Sequence, residues 1–423
     1  MKLRIIAFVL LAGAAVLSNN GPGAAKQQRV QTLVREHLAR AQMLKEKKLY
    51  AQSEREIRAA LRLASEDASL HFDLAYLLIQ QRKLDAAIAE YRQGLSLQPE
   101  NAIAHNNLGD ALYLKRDMKA AVAEFRAAVR LQSDYVPAYI NLGKALYNAG
   151  DPKGAIPALR ASLAREPNNP SAHTLLANAL FDTGDLDGAL TEFREAARLL
   201  PASAEAHLNL GWILLKKKQT DQAIAELREA LRLDPDNEKA RDNLGNAFYD
   251  KQDLGRAIAE YREAVRLRPD DAVARTNLGN ALGDRGNLDE AIAEFHKALS
   301  FKPDYTVAHF LLGHALEFKG DLDGAIAEYR AILRVQPYSS LAHYYQGNVF
   351  KKKGDVDTAI AEYRESVRLQ PDAADAHFNL GLSLEKKHDH QGALEQFRIA
   401  HELRPDDEKF RSTYEALVRQ AKQ

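Results

Sequence analysis

Apolar and polar positions alternate along the chain in a pattern that fits helices and nothing else. In His207-Leu208-Asn209-Leu210-Gly211 and onward to Leu214, the leucines recur at helical spacing and predict the buried stripe of a first helix. Gly-Asp or Gly-Asn pairs then break the chain, as at Gly184-Asp185, Gly286-Asn287, Gly320-Asp321 and Gly354-Asp355, and the Asp or Asn is placed to cap the next helix. A second helix follows with the pattern Ala-Ile-Ala-Glu-Tyr/Phe-Arg, as in Ala257 to Arg262 and Ala359 to Arg364. It sets a small and an aromatic residue four apart on one face. A proline such as Pro235 closes the unit, because its ring cannot continue a helix.

The same unit returns every 34 residues. Pro99, Pro167, Pro201, Pro235, Pro269, Pro303, Pro337, Pro371 and Pro405 keep that period or its double, with Ser133 in the gap. Gly109, Gly143, Gly211, Gly245, Gly279, Gly313, Gly347 and Gly381 hold the same register, with Ala41, Ala75 and Ala177 as substitutes. Eleven repeats therefore run from Val34 to Asp407. A glycine inside a helix costs about 1 kcal/mol relative to alanine, so its recurrence predicts close helix approach rather than flexibility.

Leu-Gly in the first helix, Ala followed by Tyr or Phe in the second, and a terminal Pro resemble the tetratricopeptide repeat. The second-helix alanine is present in every repeat but the first, where Ser53 replaces it. The resemblance implies an all-α, right-handed superhelical solenoid of antiparallel helix pairs, whose concave wall, built by the first helices, holds an extended peptide or a partner's helix. The implied partners are proteins or peptides.

Departures from the average repeat mark particular places. Repeat one carries Arg40 for Leu, Ser53 for Ala and Ser65 for Pro, as suits a solvated terminal repeat. Residues 408–423 read as a capping helix with Phe410, Tyr414, Leu417 and Ala421 on one face. Pro157, inside the second helix of repeat four, predicts a kink or a late helix start.

Candidate binding residues follow from the first-helix positions. Asn107, Asn141, Asn209, Asn243, Asn277 and Asn379 stand one residue before the buried leucine, and a row of amides can pair with the backbone of an extended peptide. The alternative is that they solvate that face. Phe310, Leu311, His314, Tyr344 and Tyr345 interrupt the row, with Gln346 where leucine is expected. These rings either anchor a partner's apolar side chain or pack on one another. Trp212 leans toward the same wall. The Lys and Asn pattern by which co-chaperone repeats clamp a carboxylate is not found in any three consecutive repeats.

His37, His71, His105, His173, His207, His309, His343 and His377 share one repeat position. Equivalent positions lie on the order of 10 Å apart, too far to share a metal with ligand bonds near 2 Å, so they are expected as packing residues. His388 and His390 form an isolated His-x-His. No metal or cofactor is expected.

Composition adds exclusions. Lys plus Arg and Asp plus Glu both total 58, which leaves no net field to attract nucleic acid or an anionic membrane. With no cysteine, disulfides, thiolate metal sites and an acylated cysteine are ruled out. Lys2 and Arg4 precede an apolar run from Ile5 to Leu17 and a small, polar stretch from Ser18 to Ala25. That layout predicts an export signal over residues 1–25, followed by a linker over 26–33. The alternative is a retained anchor, although the run falls short of the roughly 17 to 25 residues a span needs. The expected location is periplasmic or otherwise extracytoplasmic. No nucleophile-base set or phosphate loop is visible, and the repeats leave no room for a transferase domain, so catalysis is not expected. The expected function is a protein-binding scaffold, with a structural part of an envelope export, secretion or polysaccharide assembly complex as the alternative.

Overall fold

The computed structural model describes residues 22–421, and the regular structure among them is entirely helical. Twenty-three helices run from Pro22–Glu46 to Glu408–Ala421, two to each repeat plus a final one. In the repeat beginning at Ala204 they are Ala204–Lys216 and Thr220–Leu233. A three-residue connection folds the second back along the first, which makes each pair antiparallel. The chain divides into two compact units, the first ending at Leu200 and the second beginning at Pro201, and each is a solenoid stack of such pairs. Helix Pro22–Glu46 takes in residues 26–33, so the expected linker is the start of the first helix. The expected export segment lies outside the described residues except for its last four.

The turns behave largely as their chemistry dictates. Gly184, Gly286, Gly320 and Gly354 take left-handed backbone angles between 86° and 92°, which glycine adopts without steric cost. Asp185 and Asp321 then accept the backbone N–H three residues on, each at 2.9 Å. Asn287 makes no such cap, contrary to expectation. The late start anticipated at Pro157 is also absent. That helix begins in register at Pro152, with Asp151 capping Gly154, and runs through Pro157 to Arg165. Proline fits a first helical position, and the carbonyl that Pro157 leaves unpaired belongs to exposed Lys153, where water can satisfy it.

The recurring glycine is a packing device. A Cβ on Gly279 would stand 2.6 Å from the Phe295 ring, and one on Gly245 2.5 Å from Tyr261. In repeat two Ala75 fills the first-helix position while Tyr91 keeps the buried ring of the second helix, and a further glycine, Gly94, receives the Phe72 ring. Around this contact the second-helix alanines, Ala257 among them, are wholly buried. In repeat one Ser53 takes that place, and its hydroxyl donates to the Ala41 carbonyl at 2.8 Å, so the polar substitution is satisfied.

The histidine row corrects an expectation, because these are polar clasps rather than plain packing residues. Nδ1 of His105, His207 and His309 lies 2.6 to 2.7 Å from Glu124, Glu226 and Glu328 of the second helix. Nε2 of the same rings lies 2.7 to 3.1 Å from the carbonyls of Pro99, Pro201 and Pro303. Repeats seven and eight place arginine here. Arg275 donates to Glu294 at 2.6 Å and to the Pro269 carbonyl at 2.7 Å, and Arg241 does likewise with Glu260 and Pro235. The position thus clasps both helices of its repeat and the closing turn of the repeat before it.

The last helix caps the second unit. Phe410 is buried and stacks on Phe378 with centroids 4.7 Å apart, and Tyr414 stacks on His401 at 5.8 Å.

Two outcomes follow. Gly279→Val should destabilise the protein by about 2 to 3 kcal/mol through overpacking against Phe295, with lost amide protection confined to repeat eight and its neighbours. Gly279→Ala should cost less, since Ala177 already faces Phe193 in repeat five; urea unfolding with hydrogen exchange reads both. His309 has its pKa raised first of all by its bond to Glu328, with burial opposing. A raised value adds stability that is complete below the ordinary histidine value of about 6.5 and lost as pH rises through the folded value. The stability gap between the native protein and Glu328→Gln should therefore be widest near pH 6 and narrow on going alkaline.

Candidate functional site

In both units the first helices of successive repeats touch, as Ala102–Leu114 does Val136–Asn148 and Ala204–Lys216 does Glu238–Asp250. Within each unit they form an inner face, and the six asparagines, Trp212 and the aromatic residues all lie on first helices of their unit.

The asparagine row is partly consumed by the stack. Asn141 donates to Asn106 at 3.0 Å, Asn277 to Asp242 at 2.9 Å, and Asn379 to both Tyr344 and Asn348 at 3.1 Å. Each bond from this position steps back to the preceding repeat, so these amides stitch first helices together. Asn107 lies 3.4 Å from the Asn106 amide. Asn209 and Asn243 have no side-chain hydrogen-bond partner among the described residues, and they are half-buried. The free row implied by the sequence thus reduces to a few positions.

Acids line the same face. Burial raises the Asp242 carboxyl, against hydrogen bonds from Asn277 and Asn246. Burial also pushes Asp110 up to about 6, with Lys144 opposing. Sequence reasoning did not single out these acids, although their place beside the asparagines was in plain view. Trp212 is half-buried, with the Lys216 ammonium 5.9 Å from its ring.

Repeats nine and ten differ. Their first helices, Thr306–Lys319 and Ser340–Lys353, approach less closely than most neighbours, and rings occupy this part of the face. Phe310 meets Tyr345 edge-on at 4.9 Å, His314 meets Tyr345 at 5.9 Å, and Tyr344 meets Tyr345 at 5.2 Å. Tyr329 of the second helix stacks on Tyr345 at 5.9 Å. The rings therefore pack on one another, yet His314 remains exposed and Phe310, Tyr344 and Tyr345 are half-buried. Leu311 is half-buried as well. An open pocket of about 430 Å³, lined in part by Leu341, Tyr344, Tyr345 and Arg404, adjoins them.

Below these rings two buried polar atoms go unsatisfied. Two of the tyrosines equivalent to Tyr329 donate to the first helix, Tyr261 to Asn246 and Tyr363 to Asn348, each at 2.7 Å, while Tyr91 of repeat two forms no such bond among the described residues. In repeat nine that asparagine is replaced by His314, and the Tyr329 hydroxyl has no hydrogen-bond partner among the described residues. Gln346, buried where leucine is the rule, donates to Glu362 at 3.3 Å, but its carbonyl oxygen is unpaired. His388 and His390 stand 6.1 Å apart between ring centres, and His390 bonds Glu385 at 2.8 Å.

Tetratricopeptide repeat models match residues 38–95, 72–136, 140–204, 176–238, 307–339 and 374–407, and TPR repeat models match 245–284, 279–317 and 347–388. The chain belongs to the tetratricopeptide repeat family. Repeats and fold together define a protein–protein interaction scaffold, in a family whose scaffolds are generally non-catalytic and bind proteins or peptides. Among solved structures it is similar to YrrB, described as a TPR protein with an unusual peptide-binding site, at 28% identity over 44% of this chain and 95% of that one, with a TM-score of 0.40. It is similar to the APC/C hetero-tetramer Cut9–Hcn1 at 14% identity over 94% of each chain, TM-score 0.47. PilF of Pseudomonas aeruginosa matches at 22% identity over 48% of this chain and 92% of its own, TM-score 0.43. Comparison with curated proteins gives no match. No helix among the described residues is long and apolar enough to cross a membrane.

Removing a stitching amide should be felt by the fold itself. Asn277→Ala strips the buried Asp242 of one donor and should cost about 1 to 3 kcal/mol in urea unfolding, whereas Asn243→Ala should be nearly neutral.

Proposed function

We propose that the protein holds an extended segment or a helix of a protein partner along its inner face, with the rings of repeats nine and ten as the anchor. The carrying observation is the Tyr329 hydroxyl. Of the four tyrosines at this position, Tyr261 and Tyr363 are satisfied from within their own repeats, and Tyr91 forms no hydroxyl hydrogen bond among the described residues. Only Tyr329 has a fully buried hydroxyl without a partner, beside exposed His314 and half-buried Tyr345. An orphaned buried hydroxyl costs about 1 to 3 kcal/mol, a loss that a bound partner group reaching between the rings can recover. Aromatic residues facing an open pocket supply contact area at small entropic cost. Asn209, Asn243 and Trp212 would extend the contact along the wall toward repeats six and seven, while Asn141, Asn277 and Asn379 act chiefly through the stitching of the wall.

Export to an extracytoplasmic location belongs to the same proposal and is supported by the charged and apolar layout of the first 25 residues. Cell fractionation with N-terminal sequencing of the mature chain tests it. A structural role in an envelope assembly would use the same face, with a fixed complex in place of a transient peptide.

Tyr329→Phe separates fold from function. If the hydroxyl is reserved for a partner, the substitution should raise the stability of the free protein by about 1 kcal/mol and weaken capture of a partner by a photoreactive side chain placed at His314. Tyr261→Phe, which breaks a satisfied bond, should instead destabilise. Loss of stability in Tyr329→Phe matching that of Tyr261→Phe, or equal capture from His314 and from exposed Arg330 of the second helix, would overturn the proposal.

A further inference from the structure

Lys351 lies on the inner face of repeat ten, half-buried, and its one hydrogen bond goes to the Asn379 side-chain oxygen at 2.9 Å. No carboxylate among the described residues lies within ion-pair distance of it. Three acids near it are already engaged, Glu317 with Lys352 at 2.5 Å, Asp375 with Arg404 at 2.6 Å, and Glu385 with His390 at 2.8 Å, while exposed Asp372, at the pocket beside Tyr344 and Tyr345, forms no ion pair among the described residues. Lys386 and Lys409 also form no ion pair among the described residues, and Lys409 stands 4.6 Å from the Phe378 ring. Lys351, Lys386 and Lys409 are thus left without a paired acid among the described residues, even though the whole chain is neutral.

A half-buried ammonium is desolvated at a cost that a nearby carboxylate normally offsets. Burial lowers the pKa of Lys351, and the ammoniums of Lys409 and Lys352 lower it further. Asn379, which receives its one bond, is itself held by Tyr344 and Asn348, so the amine is fixed in place with donor hydrogens to spare.

We infer that Lys351 receives the side-chain carboxylate of an Asp or Glu within a partner's chain, next to an aromatic or aliphatic residue that enters the Leu341, Tyr344 and Tyr345 pocket. The inference rests on the reading that the inner face holds a partner chain. An internal residue fits better than a chain end, because apolar surface is exposed on both sides of repeat ten: Phe318 at 78% in repeat nine and Leu382 at 38% in repeat eleven. A chain laid over Lys351 can continue in both directions.

Selection of random decamers, N-acetylated and C-amidated, against the full chain tests this. Enriched peptides should carry Asp or Glu beside an aromatic or aliphatic residue. Changing that acid to its amide should weaken binding about tenfold, the scale of one charge-assisted bond. Lys351→Met should erase the difference and Lys351→Arg should largely restore it, with unchanged melting as the check on folding; Lys351→Gln serves if the methionine variant melts early. Peptides that depend on Phe310 and Tyr345 but show no acid preference would overturn the carboxylate inference and leave the inner-face reading standing. Enrichment only among peptides with a free C-terminus would overturn it in favour of a chain end. No enrichment over a Phe310→Ala/Tyr345→Ala variant would overturn both.

Discussion

Everything in each stack depends on how closely a first helix approaches its own second helix, and that distance is set where Gly279 meets Phe295 and Gly245 meets Tyr261. The absence of one Cβ lets a ring lie against the opposite backbone. Once the ring is seated, the second-helix alanines are driven to full burial and the pair becomes a rigid brick. Because each brick offers the same faces, bricks add in series, and no residue far away in sequence is needed to complete a core. The constraint is on volume at the contact rather than on identity, as Ala75 in the glycine position of repeat two and Leu227 in the ring position opposite Gly211 make plain.

That economy frees the inner face. Residues there do not decide whether a repeat folds, so they can carry stitching amides in one repeat and rings in another. Where they stitch, as with Asn277 on Asp242, the wall is polar and satisfied. Where His314 displaces an asparagine and Gln346 displaces a leucine, buried polar atoms are left open. A stack that satisfies Tyr261 and Tyr363 has the means to satisfy Tyr329 by a single asparagine. Local departures from a rule obeyed elsewhere in the same chain are where function is to be sought.

The repeat, its helices and most caps were legible because each rests on local chemistry: helical spacing, a left-handed glycine, an Asp three residues before the N–H it accepts. Asn287 was misread because side-chain choice at a cap depends on a rotamer that sequence does not display. The histidines were misread for another reason. A bond across 19 residues has no local signature, yet a signal was present in the repeats taken together. In repeat four, Tyr139 replaces the histidine and Ala158 replaces the glutamate, so both partners vanish at once. Arg241 and Arg275, keeping their glutamates, pointed to a cation at that position. The orphaned hydroxyl of Tyr329 was not legible at all, since it requires knowing what its equivalents touch.

The charge balance of the chain carries a related lesson. Formal neutrality excludes a global field, and it says nothing about a face. In the second unit Glu317, Asp375 and Glu385 are matched by Lys352, Arg404 and His390, while Lys351, Lys386 and Lys409 form no ion pair among the described residues. Lys115 and Lys387, which cap the C-terminal ends of their first helices, reach back to Asp85 and Asp357 of the preceding repeat. Lysines are therefore paired wherever pairing serves the stack. Lys351 and Lys409 stand over the buried rings of Tyr363 and Phe378, where an opposite charge is worth more than in open solvent. Selectivity for a partner then comes from the few wall residues that the repeat does not need.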